Sequence, residues 1–116
     1  MNTEPDCLFC KISSGVIPAE IIAESQGAIA FRDIDPKAPT HVLVVPRSHF
    51  ADVSVLTLSD PNLAGELLAL ASDVARLEGL DDGYRIVTNT GEAAGQSVAH
   101  VHFHVLGGRS LAWPPG

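Results

Sequence analysis

The chain has 116 residues, enough for one domain spanning 1–116 and too few for two. Apolar residues make up 46% and charged residues 18%, which excludes an intrinsically disordered chain. The net charge of −7 argues against a protein that grips nucleic acid through many phosphate contacts, and it leaves an anion pocket to rely on backbone N–H groups.

In chain order, Leu8, Phe9 and Ile12 fit one face of a short helix within Cys7–Gly15. Pro18 breaks it. Glu20–Glu24 and Ala28–Asp33 read as a hairpin around Ser25-Gln26-Gly27. Two prolines make 35–39 a rigid loop, and His41–Pro46 is a strand rich in branched residues. Ser59 or Asp60 caps a long helix that has Pro61 in its first turn. Its apolar stripe is Leu63, Leu67, Leu70, Val74 and Leu77, and Gly79 ends it. Tyr84–Thr88 and Val101–Leu106 are strands, separated by a loop over Asn89–His100. One long helix set among antiparallel strands predicts an α+β fold.

His100, His102 and His104 alternate with Val101 and Phe103, so on a strand the three imidazoles share one face. Imidazole is neutral and nucleophilic near pH 7, and its attack on a phosphoryl group splits one hard displacement into two easier ones. A zinc-binding His-x-His pair fits the same spacing, and a plain solvent-facing row is the bland alternative. Gly95-Gln96-Ser97, just before this strand, offers backbone N–H groups to an anion without a charged side chain. Asn89 and Ser97 add polar side chains. Cys7-Leu8-Phe9-Cys10 is a Cys-x-x-Cys unit open to three readings: a redox pair, free thiols, or half of a Cys₂His₂ zinc site. No apolar run is long enough to span a membrane and Met1–Asp6 has no leader pattern, so the expected compartment is a reducing cytoplasm.

The run His100-Val101-His102-Phe103-His104-Val105-Leu106 resembles the signature of the histidine triad (HIT) superfamily. Phe31-Arg32-Asp33-Ile34, Pro39-Thr40-His41, the Val-Val-Pro-Arg-Ser-His run ending at His49, Asn89-Thr90-Gly91, Gly95-Gln96-Ser97 and Trp113-Pro114-Pro115-Gly116 resemble its Hint branch. The resemblance implies a sheet continued across a homodimer. It also implies hydrolysis of purine nucleoside phosphoramidates and related adenylates at the α-phosphate, with no catalytic metal. Dinucleoside polyphosphate hydrolysis, or a nucleotide-binding module with little turnover, are the alternatives.

Carried over by position, His102 corresponds to the nucleophile and His104 to the histidine that bonds the phosphate. Asn89, Ser97 and the backbone of Gly95 and Gln96 correspond to contacts with the phosphate or leaving group. Asp33 corresponds to the acid that holds the ribose, while Leu8, Phe9, Ile12, Phe31 and Ile34 correspond to the walls of the base pocket. His41 corresponds to a histidine behind the catalytic one, and Trp113 to a residue reaching toward the partner's site. The resemblance also implies that Cys7, Cys10, His49 and the first triad member, His100, hold a structural zinc.

Overall fold

The strand His41–Pro46 foreseen from its branched residues is the spine of the molecule. In the computed structural model, which describes residues 2–116, it runs Thr40–Pro46 (β3) and is buried along its whole length. Helix α1 is Leu8–Ser13, β1 is Ile21–Glu24 and β2 is Ala28–Arg32. Helices α2 (Val53–Ser59) and α3 (Pro61–Leu77) follow β3, then β4 (Tyr84–Val87), a short 3₁₀ turn at Glu92–Ala94, and β5 (Phe103–Gly107). The described residues form an antiparallel sheet in the order β1-β2-β3-β5-β4.

Strand alternation divides the sheet into two faces. Ala28, Ala30, Val42, Val44, Val101, Phe103 and Val105 pack under Leu67, Leu70, Ala71 and Val74 of α3. The small residues on β2 let the helix approach closely. The opposite face carries Ile29, Phe31, Leu43 and Val45, covered by Phe9 of α1. The hairpin turn is tied to α3 by Glu66, which accepts from Ser25 Oγ at 2.5 Å and from Gly27 N–H at 2.6 Å. A Cβ at Gly27 would lie 2.9 Å from Leu63 Cδ1 and 3.1 Å from Glu66 Oε2, so a larger residue would push these two side chains aside.

Helix α3 begins as foreseen, with the Asp60 side chain accepting from Leu63 N–H and Pro61 in the first turn. Three expectations are corrected. Helix α2 was not foreseen; Asp52 caps it, and only Leu56 is buried. Leu77 does not belong to the buried stripe, because it is 61% exposed at the C-terminal end of α3. Finally, β5 starts at Phe103 rather than Val101, so His100 and His102 precede the ladder.

Candidate active site and metal centre

Residues 100–102 run from a bend into the start of β5 and are held by loops. Val101 N–H donates to the Phe50 carbonyl at 2.7 Å, and Thr88 Oγ1 donates to the His102 carbonyl at 2.9 Å. Alternation still holds through this stretch. Val101 and Phe103 enter the α3 core, while His100 and His102 pack edge-on against Phe9 on the other face. The His102 and His104 rings lie 4.9 Å apart.

At one end of the segment, His100 meets both cysteines. Its Nδ1 is 3.3 Å from Cys7 Sγ and 3.5 Å from Cys10 Sγ, and His49 Nδ1 is 3.5 Å from Cys10 Sγ. All four donor atoms lie within 4.8 Å of one another. Zn–S and Zn–N bond lengths give a tetrahedral S···N edge of ~3.5 Å, so this donor set fits a four-coordinate, zinc-sized ion. The ligand tautomer is also prepared. His100 Nε2–H donates to the Pro46 carbonyl at 2.9 Å, leaving Nδ1 with its lone pair. Cys7 also caps α1, with Cys10 N–H donating to its sulfur at 3.4 Å. Without an ion, burial pushes the Cys10 thiol pKa up.

At the other end, His104 meets His41 and Asp33. The register places Leu43 opposite His104 and Leu106 opposite His41, so the two histidines are diagonal neighbours across β3 and β5. His41 Nε2 is 2.8 Å from His104 Nδ1, and Asp33 Oδ2 is 3.4 Å from the same His41 nitrogen. These three residues also cluster closely enough to suggest a metal site. Two nitrogens on one tetrahedral ion stand ~3.3 Å apart, so 2.8 Å marks a hydrogen bond instead.

Hydrogen-bond partners assign the protons. Lys37 N–H donates to His41 Nδ1 at 3.0 Å, so neutral His41 carries its proton on Nε2 and donates to His104 Nδ1. His104 must then carry its own proton on Nε2, a buried atom with no partner among the described residues. His102 has the opposite pattern. Its Nδ1–H donates to the His100 carbonyl at 2.8 Å, leaving Nε2 as a bare lone pair. Burial keeps these rings neutral: it lowers the pKa of His41 and His102, and that of His104 to about 4, where His102 and His41 add to the effect. With His41 neutral, its 3.4 Å approach to Asp33 is not an ion pair, and its N–H is bonded to His104.

The remaining candidates divide. Phe9 and Phe31 are buried and meet edge to face at 5.6 Å, with Ile12 packed beside them. Leu8, Ile34 and Trp113 are all exposed, at 43%, 99% and 81%. Asn89 and Ser97 make no side-chain hydrogen bond among the described residues, so both are free for a ligand.

The loop expectation narrows. Gly95 N–H and Gln96 N–H close onto Glu92 and Gly91 carbonyls, and the Gln96 side chain is spent on Gly91, Ala51 and Val98. Gly95, at φ +94°, makes that closure without strain. Within 95–97, the Ser97 N–H alone makes no hydrogen bond among the described residues. Sequence reading missed Lys37, Pro46 and Thr88. Two act through backbone atoms, which leave no sequence signal. A cavity of about 580 Å³ lined by Leu80, Tyr84, Arg85 and Arg109 holds none of the candidate residues.

This antiparallel α+β sheet, with a histidine cluster at one face, defines a known class. Residues 14–111 match the sequence model of the HIT domain family. An uncharacterized HIT-like protein of Synechococcus elongatus is 50% identical over 111 residues, covering 96% of this chain and 97% of its own. A HIT family hydrolase of Legionella pneumophila superposes with a TM-score of 0.91 at 46% identity, covering 96% of this chain and all of its own. A histidine triad protein of Clostridium difficile gives 0.90 at 34% identity, with 95% and 96% covered. The chain belongs to the HIT family, as the histidine run led one to expect, and is hydrolase-like in kind.

Proposed function

We propose that the protein hydrolyses purine nucleoside phosphoramidates or adenylated amines at the α-phosphate. The observation that carries this reading is the pair of opposed tautomers on neighbouring rings: a bare Nε2 on His102 beside a protonated, unpartnered Nε2 on His104. A nucleophile and an anion-binding donor are what a displacement at phosphorus requires.

His102 Nε2 gives its lone pair to phosphorus. The P–N bond to the amine breaks, and the amine leaves with that electron pair and takes up a proton from solvent water. Positive charge on the His102 ring is supported by the Nδ1–H bond to the His100 carbonyl. Water then attacks phosphorus and gives up a proton to solvent, the P–Nε2 bond breaks with its electron pair returning to His102, and the nucleoside monophosphate leaves with His102 neutral again. His104 Nε2–H, Ser97 and Asn89 receive the phosphate oxygens. Asp33 holds the ribose, and Leu8, Phe9, Ile12, Phe31 and Ile34 form the base side.

Cys7, Cys10, His49 and His100 hold a zinc ion that is structural, since four protein ligands leave no open position. The chain works as a homodimer through edge strand β4, where Tyr84 is 42% exposed, with Trp113 reaching the partner.

The test is turnover of adenosine and guanosine phosphoramidates. His102→Asn is expected to lose about a thousandfold or more in kcat while still binding the monophosphate in calorimetry. A variant within tenfold of the parent would remove the nucleophile assignment.

A further inference from the structure

Asp33 stands between two functions. Its N–H donates to the His41 carbonyl at 3.0 Å, which fixes its backbone opposite His41. Oδ1 accepts from Asp35 N–H at 2.8 Å, leaving Oδ2 as the free oxygen. That oxygen is 3.4 Å from His41 Nε2, the nitrogen whose proton is bonded to His104 Nδ1 at 2.8 Å. A small turn of the carboxylate would give that proton a second acceptor, and a carboxylate oxygen competes well with a ring nitrogen. If Oδ2 takes the proton's bond, His104 Nδ1 loses its donor. The His104 proton is then free to sit on Nδ1, which turns a lone pair at Nε2 toward an anion.

We propose that Asp33 couples sugar recognition to the proton pattern of His104. A ribose hydroxyl donating to Oδ2 withdraws that oxygen from His41. The His41 Nε2–H is then committed to His104, and His104 Nε2 keeps the N–H that the phosphate needs. His41 is a positioning residue, set in turn by the Lys37 amide. The inference rests on the nucleotide reading above and adds that ribose is required for the chemical step as well as for binding.

The test compares adenosine phosphoramidate with its deoxyribose analogue, in the parent and in His41→Gln. In the parent, the deoxy substrate is expected to lose about tenfold in kcat with KM changed less than about threefold. In His41→Gln that kcat discrimination falls to within about twofold. A loss confined to KM, or equal kcat discrimination in both proteins, overturns the coupling. Nitrogen NMR of the imidazoles in the unmutated protein gives an independent reading. Saturating adenosine, which carries no phosphate, is expected to move the His104 ring nitrogens toward the Nε2–H form, and deoxyadenosine less so. Adenosine that binds and leaves these resonances unmoved overturns the coupling alone. No adenosine binding together with no turnover overturns the nucleotide reading, and the coupling with it.

Discussion

The two ends of residues 100–104 carry the same side chain to different ends. At His100 the outer nitrogen is tied to a carbonyl, and the inner one faces two sulfurs at 3.3 and 3.5 Å. At His104 the inner nitrogen accepts from another ring at 2.8 Å, and the outer one keeps its proton. His102, between them, is turned by the His100 carbonyl. Three histidines two residues apart therefore present a lone pair facing two sulfurs, a bare lone pair on His102 and an N–H donor. Each ring's role follows from the group that binds its other nitrogen, so spacing alone does not assign roles.

The most direct way to break this contrast is at the cysteine end. Purified protein is expected to contain about one zinc per chain, and Cys10→Ser to lose it with a fall in Tm of about 10 °C or more. Chelation of the parent should lower Tm before it lowers turnover. Metal-free protein with an unchanged Tm would show that the tetrad is only four packed side chains.

A smaller effect sharpens the other end. The folded-state pKa of His104 is lowered to about 4, against an ordinary value of 6.5, so the unfolded chain binds the proton first as pH falls. Stability from this group is complete above about pH 6.5 and declines down to about pH 4, a loss of about 2 kcal/mol by pH 5. His104→Gln removes that part of the slope. Urea midpoints at pH 7.5 and 5 check it: an equal drop in both proteins would place the titration elsewhere.

Much of this was legible because side-chain period carries it. The alternation of His100, Val101, His102 and Phe103 survives although the ladder begins later, because burial of Val101 and Phe103 under α3 enforces the same facing. Asp60 and Pro61 fixed the start of α3 through local capping. Helix α2 was not legible, since only Leu56 of its apolar residues is buried and no stripe forms. The spending of the Gly95 and Gln96 amides was hidden for a different reason: glycine marks a turn but not which carbonyl closes it. The Lys37 amide that sets His41 is likewise a backbone donor, available at any non-proline residue.

Residues 100–102 hang from Phe50 and Thr88, outside the ladder that holds Val105. Native-state hydrogen exchange should separate the two. The Val101 amide is expected to open with the loop after β3, and the Val105 amide only when the sheet itself opens. Changes confined to those two loops are then expected to move the middle ring with the rest of the sheet left intact.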